Sequence, residues 1–212
     1  MTFTFMTSDF LSKRTENGKQ KDFFDAHADV WDDISRSEPS KLRYITDLLG
    51  LKGDEEVLDV GCGTGVMIPY YLEHLRTGKV TAVDFSERMI AKASSKYPPS
   101  ERISYMVRDV SELDGSEVFD VAVCYSCFPH FNDPVGALSA LSGCLRKGGR
   151  LAIAHSDSKE HINSVHHEGG KEIRNDFLPD VTIMEELFAN AGLELEFARD
   201  DADYYIVIGR RA

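Results

Sequence analysis

Three glycines at alternate positions, Gly61, Gly63 and Gly65, follow the short run Glu56-Val57-Leu58-Asp59-Val60. That run is apolar apart from its acids, the pattern of a buried parallel strand. Glycine tolerates positive φ and lets a ligand approach the backbone. Directly after Gly65 an apolar helical pattern begins, with Val66, Met67, Ile68, Tyr70, Tyr71, Leu72 and Leu75. A glycine turn between a strand end and a helix start is where open α/β sheets bind ligands. About twenty residues further on, Lys79-Val80-Thr81-Ala82-Val83 ends in Asp84, an acid at the tip of a second strand, placed to accept hydrogen bonds from two ribose hydroxyls.

These two pieces make a nucleoside-binding half-fold, and the glycine spacing narrows the nucleoside. Dinucleotide enzymes use G-x-G-x-x-G with a pyrophosphate at the helix N-terminus. Here the spacing is G-x-G-x-G, and Asp59 stands just upstream. A carboxylate there repels a pyrophosphate and favours an ammonium. The expected ligand therefore carries a ribose and a positively charged amino-acid end, as S-adenosylmethionine does. Asp59 is expected at that amino end, directly or through water. Gly61, Gly63 and Gly65 shape the turn that also holds Cys62, and Phe85 and Met89 flank the adenine.

Val57-Leu58-Asp59-Val60-Gly61-Cys62-Gly63-Thr64-Gly65 closely resembles motif I of the class I S-adenosylmethionine-dependent methyltransferases. More narrowly it is similar to the group that includes the ubiquinone and menaquinone biosynthesis C-methyltransferases. The resemblance covers roughly Phe23 to the C-terminus and is most specific from Val57 to Gly149. It implies a methyl transfer that releases S-adenosylhomocysteine. It also implies that Asp109 accepts from the adenine amino group and that the Val110 backbone reads the ring edge. Phe24-Asp25-Ala26-His27-Ala28-Asp29-Val30-Trp31-Asp32 resembles the aromatic segment that covers the site in such enzymes. Phe24, His27 and Trp31 are then lid residues; core packing is the other reading of the same helical spacing. In this fold the end of the fourth strand, Cys124-Tyr125-Ser126-Cys127, passes under the transferable methyl, which puts Cys124 beside the cofactor and Tyr125 beside the substrate; strand core is the other reading of Cys124. A metal or redox reading of C-x-x-C lacks a second pair at zinc spacing.

Histidine is the side chain that titrates nearest neutral pH. Four of the seven histidines lie within His155–His167. His155 falls at the tip of the fifth strand and is expected to face the cleft. Ser158 is placed to cap a helix on which Ile162, Val165 and His166 share a face. His155 and His166 are candidate bases or hydrogen-bond partners for the acceptor, with His130 as a third candidate or a packing residue. A site for a thiol, metal or metalloid acceptor through His155 and His166 is an alternative, although no resident metal is expected. Gly169-Gly170 and Asp176-Phe177-Leu178-Pro179 read as a loop closing over the cleft.

The elements that must position these residues alternate strand and helix, as a doubly wound sheet requires. Strands are expected at 56–60, 80–84, 103–108, 118–124 and 150–155, with Gly148-Gly149 as the turn into the fifth. Helices are expected at 22–34, 39–49 (capped by Ser37 or Ser40), 66–75, 86–97, 134–145 and 182–191. Residues 194–199 and 203–209, joined by an acidic turn, read as an antiparallel hairpin. The expected fold is a single doubly wound α/β domain with a mostly parallel seven-stranded sheet and that closing hairpin. Residues 1–21 are expected to be a flexible segment and 22–50 a helical lid on a domain spanning 22–212.

The chain of 212 residues has 24 Lys plus Arg against 36 Asp plus Glu, a net charge of −12. That balance disfavours nucleic acid and anionic membranes as partners. No run approaches the roughly 18 apolar residues of a membrane span. Four cysteines without a secretory leader read as reduced thiols in a cytoplasmic protein. The expected acceptor is a small molecule. A nicotinamide oxidoreductase, a nucleic-acid methyltransferase and a non-enzymatic cofactor-binding module are the competing readings. The first conflicts with the glycine spacing and the hairpin; the second conflicts with the charge and lacks an Asn/Asp-Pro-Pro-Tyr/Phe motif.

Overall fold

The computed structural model describes residues 17–169 and 173–212. Seven strands form one sheet: β1 (Glu56–Val60), β2 (Lys79–Asp84), β3 (Ile103–Val107), β4 (Phe119–Tyr125), β5 (Leu145–His155), β6 (Leu193–Asp200) and β7 (Tyr205–Arg211). Their order is β3-β2-β1-β4-β5-β7-β6. The first five are parallel, and β7 enters antiparallel between β5 and β6. This is the mostly parallel sheet with a C-terminal hairpin that the pattern predicts. The strand order reverses direction between β1 and β4, the place where an open sheet leaves a crevice.

The helices are α1 (Asn17–His27), α2 (Trp31–Ile34), α3 (Pro39–Leu49), α4 (Ile68–His74), α5 (Glu87–Lys96), α6 (Pro134–Cys144), α7 (Lys159–Glu168) and α8 (Val181–Asn190). Side chains alternate sides along a strand, so β1 serves two cores. Val57 packs with Leu42, Ile45 and Leu49 of α3 and Ile68 and Tyr71 of α4. Leu58 and Val60 pack with Leu138 and Leu141 of α6 and Leu187 and Phe188 of α8. A strand apolar on both faces fits only a sheet covered on both sides.

Several boundaries differ from the pattern. The helix expected from residue 22 begins at Asn17 and carries a buried Gln20; the flexible segment expected over 1–21 otherwise lies outside the described residues. α3 is a core helix rather than part of a cover, because its apolar stripe is spent on the sheet. Its N-cap is Glu38, without a side-chain bond, and neither Ser37 nor Ser40 caps it. The helix expected from Val66 starts at Ile68, since the glycine turn continues through Met67. Gly148 and Gly149 lie within β5, where the ladder with β4 shifts register, and do not form a separate turn. Ser86 and Ser158 cap their helices as expected, accepting from the amides of Met89 and His161.

Candidate functional site

The turn after β1 depends on glycine. Gly61, Gly63 and Gly65 have φ of 60°, 52° and 84°, the left-handed region that L side chains avoid. A Cβ on Gly61 would lie 2.6 Å from Cys127 Cβ, so the loop after β4 passes directly against the turn. That loop begins with Ser126 at φ 53°, a non-glycine residue in the same region. Its strained conformation sends Cys127 back beneath Gly61, where the thiol donates to the Val60 carbonyl at 3.0 Å.

Beside this turn a cleft of about 200 Å³ opens at the C-terminal ends of β1, β2, β3 and β4. Asp84 lines it. Its carboxylate accepts from the Gly63 and Ser86 amides, both at 2.9 Å, and each oxygen keeps a lone pair for a ligand hydroxyl. Burial pushes its pKa up to about 6 against the pull of those amides. Phe85 and Met89 line one side and Asp109 and Val110 the next. Asp109 also caps the short 3-10 turn Val110–Glu112 by accepting from the Ser111 amide.

Asp59 is 1 % exposed, on the α4 face of the sheet, and is not among the residues that line the cleft. Tyr71 donates to its Oδ1 at 3.2 Å, and its Oδ2 has no partner. Burial, with Asp84 nearby, pushes its pKa up to about 7. An orphaned buried carboxylate oxygen beside a glycine turn suits an ammonium, reached directly or through one water. Together with Asp84 it fits a ligand that has a ribose and an amino-acid end.

The N-terminal helices add an aromatic wall. Phe24 of α1 and Trp31 of α2 line the cleft, edge to face at 5.3 Å. Phe24 also meets Phe85 at 5.8 Å and the His130 ring at 5.1 Å. Trp31 reaches over the turn, its Nε1 3.6 Å from where a Gly63 Cβ would sit. Acids on this N-terminal segment pair with α5: Asp29 with Arg88 and Lys92, and Asp32 with Lys96. Tyr125 closes the edge of the cleft, its hydroxyl bonded to Ser37 Oγ at 2.6 Å and Ser156 Oγ at 2.7 Å.

His130 lines the cleft, and its Nδ1 lies 2.7 Å from Asp176 Oδ2. A carboxylate only accepts, so Nδ1 carries a proton, and in the neutral ring Nε2 is the nitrogen left to accept one. Asp176 is fully buried. His166 stands behind this pair, its ring 4.9 Å from that of His130 and its Nδ1 2.6 Å from the Asp176 carbonyl.

Four expectations need correction. His155 does not face the cleft: it is 1 % exposed and neither ring nitrogen has a partner. Side-chain parity along β5 puts it on the side of Leu151 and Ile153, which α7 and α8 cover. Burial, with two histidines nearby, lowers its pKa to about 3. His166 is a buried residue of α7 and not a cleft wall, its pKa lowered to about 4 by burial. Cys124 is strand core at 0 % exposure, and Cys127 takes the cleft position. His27 turns its Nδ1 to the Phe23 carbonyl at 2.7 Å and does not line the cleft. The thiol, metal or metalloid site through His155 and His166 loses its geometry accordingly. Among the described residues no group of three or more His, Cys, Asp or Glu is arranged to hold a metal ion. No helix among them is long and apolar enough to cross a membrane. All four cysteines are free of disulfides. The pattern gave Gln20 and Asn132 no part, placed Asp176 only in a loop over the cleft and Ser37 only as a helix cap, because nothing in their spacing ties them to the glycine turn.

Residues 58–153 match the family described as a methyltransferase domain. The chain is 27% identical over 133 residues to malonyl-[acyl-carrier protein] O-methyltransferase of Acetivibrio thermocellus, covering 62% of this chain and 47% of that one. It is 30% identical over 137 residues to ubiquinone biosynthesis O-methyltransferase of Coxiella burnetii, covering 61% and 57%. The chain thus spans about half the length of the curated relatives it matches. Its fold matches that of Burkholderia thailandensis 1,6-didemethyltoxoflavin-N1-methyltransferase, solved with 1,6-didemethyltoxoflavin and S-adenosylhomocysteine. The TM-score is 0.71 at 22% identity, with 92% of this chain and 88% of that one covered.

Proposed function

We propose that the chain is a class I S-adenosylmethionine-dependent methyltransferase, as the match of residues 58–153 to a methyltransferase domain supports, and that it methylates a small molecule whose reacting atom carries a removable proton. The observation that carries this reading is the His130–Asp176 pair on the wall of the cleft that Asp84 also lines. S-adenosylmethionine, when bound, supplies a methyl already activated on a sulfonium, so the protein's work is alignment, exclusion of water and proton removal.

Asp84 holds the ribose hydroxyls with its free lone pairs, and Asp59 Oδ2 takes the ammonium. Phe85, Met89, Asp109 and Val110 frame the adenine, while Gly61 and Gly63 let the turn lie against the chain of the ligand. Phe24 and Trp31 close the cleft over the reacting atoms and exclude water. Alignment of this kind contributes roughly 7–11 kcal/mol of barrier reduction. His130 Nε2 accepts the proton of the acceptor, and Asp176 steadies the imidazolium that results. Such a base adds about 10²–10⁴-fold. The acceptor lies against Phe24, Trp31 and Phe131, which favours a flat apolar body with an O–H or N–H at its edge. The relatives named above act on acceptors of different kinds, so the cleft and not the likeness supports this class.

The test has two arms. Calorimetry with S-adenosylmethionine, S-adenosylhomocysteine and NADH, on the wild type and Asp84→Ala, is expected to give binding of the first two only, lost in the variant. Methyl transfer to a panel of phenols, ring N–H heterocycles and thiols is then compared with His130→Gln. A loss of 10²-fold or more with cofactor affinity kept within about threefold is expected. Binding of NADH alone, or unchanged turnover in His130→Gln, refutes the reading.

A further inference from the structure

The His130–Asp176 pair is not held by its own elements alone. Gln20 of α1 is 1 % exposed, although glutamine is ordinarily a surface residue. Its Nε2 donates to Asp176 Oδ2 at 2.9 Å, the same oxygen that faces His130 Nδ1. Its Oε1 accepts from Asn132 Nδ2 at 3.1 Å. Asp176 Oδ1 has no partner. One carboxylate oxygen therefore takes both donors and the other takes none. Two donors converging on a single oxygen fix the plane of the carboxylate, whereas one alone leaves it free to turn about its Cβ–Cγ bond.

Gln20 and Phe24 are one helical turn apart on one face of α1, and both act on the same pair. Phe24 sets its edge against the His130 ring, and Gln20 bonds the carboxylate behind that ring. We propose that Gln20, held by Asn132, is a positioning residue of the N-terminal helix that keeps His130 in the tautomer able to take a proton, so that the helix covering the cleft also sets the base. The inference rests on the reading of His130 as that base. Packing alone is a poor account of Gln20, since an aliphatic side chain would fill the space without a buried amide to satisfy. The amide is satisfied twice, once by the carboxylate and once by Asn132.

The test reads the tautomer and needs no acceptor. Protein labelled with 15N at its histidine rings is saturated with S-adenosylhomocysteine, and His130 is assigned by its absence from His130→Gln. In the wild type, His130 is expected as a single form with the proton on Nδ1. In Gln20→Met, which keeps volume without the amide, His130 is expected as a mixture of both tautomers. His166 Nδ1, bonded to a backbone carbonyl, is expected to be unmoved. Asn132→Ala is the second variant, with the same shift, should Gln20→Met not fold. A single Nδ1 form in both variants overturns the inference and leaves the base reading intact. Scrambling of His166 along with His130 means general loosening and also overturns it. A wild-type His130 that does not carry its proton on Nδ1 removes the base reading itself, and this inference with it.

Discussion

Asp59→Asn should make the free protein more stable at alkaline pH while weakening its hold on the cofactor. The carboxyl is buried with one oxygen unpartnered, and its pKa rises from 3.8 to about 7 because burial penalises the charged form. Between those values the folded chain holds a proton that the unfolded chain has lost. Stability therefore falls as pH rises through that window. A shift of about three units is worth about 4 kcal/mol in all, and about 3 kcal/mol of it accrues between about pH 5 and about pH 8. Asparagine keeps the shape and the Tyr71 bond but does not titrate. The stability of Asp59→Asn relative to the wild type should thus rise by about 3 kcal/mol from about pH 5 to about pH 8. Any pH-independent cost of the amide cancels in that difference. For a chain of this size the relative gain in Tm is roughly 6–12 °C. Thermal melts of both proteins at the two pH values, without ligand, measure it. Repeating them with S-adenosylhomocysteine should narrow the gap at about pH 8 by roughly 1.5–3 kcal/mol, because a charge-assisted contact is gone. A pH-independent difference between the two proteins would refute the argument, since Asp59 would then be satisfied in the folded chain. Equal ligand affinity would refute its role at the ammonium.

Three further perturbations follow from the same geometry. Gly61→Ala forces a side chain into φ 60° and into Cys127, so urea unfolding should show a loss of at least the roughly 1–2 kcal/mol that the backbone alone costs. Adding Cys127→Gly should restore the packing part but not the backbone part. His155→Leu replaces a buried ring with two unpartnered nitrogens and should stabilise by roughly 1–3 kcal/mol, with methyl transfer kept within severalfold. Because the His155 pKa is lowered to about 3, the wild type loses stability as pH falls from 6.5 toward that value, and the variant should lose less. Lys96→Gln unties Asp32 from α5 and should speed release of S-adenosylhomocysteine severalfold in stopped flow. In 1 M salt, where screening acts within about 3 Å, the two proteins should release it at nearly equal rates.

The sequence by itself determined the sheet and the glycine turn with Asp84 beside it. Val57 and Leu58 are both apolar on a five-residue strand, and only a sheet covered on both faces accepts that. The alternate glycines mark left-handed backbone, and Asp84 stands at the next strand tip. These signals are local: each reports a backbone conformation or an element end within a few residues. The acid turn between two strands near the C-terminus is equally local, and it announced the hairpin.

Tertiary structure alone decided the histidine wall of the cleft. His155 stands at a strand tip, as the pattern said, but which side of the tip is covered depends on where α7 and α8 dock. The docking buried His155, while Tyr125 lies on the other face of the sheet and lines the cleft. Cys124 and Cys127 share a motif, yet parity puts the first in the core and a strained Ser126 puts the second under Gly61. Asp176 lies 46 residues from His130, and Gln20 lies 156 residues from Asp176. No spacing rule joins residues that far apart, because the bonds between them exist only after the helices have packed. Periodicity reports which face of an element is apolar; the meeting of three polar side chains from three elements is set by the packing of those faces against one another.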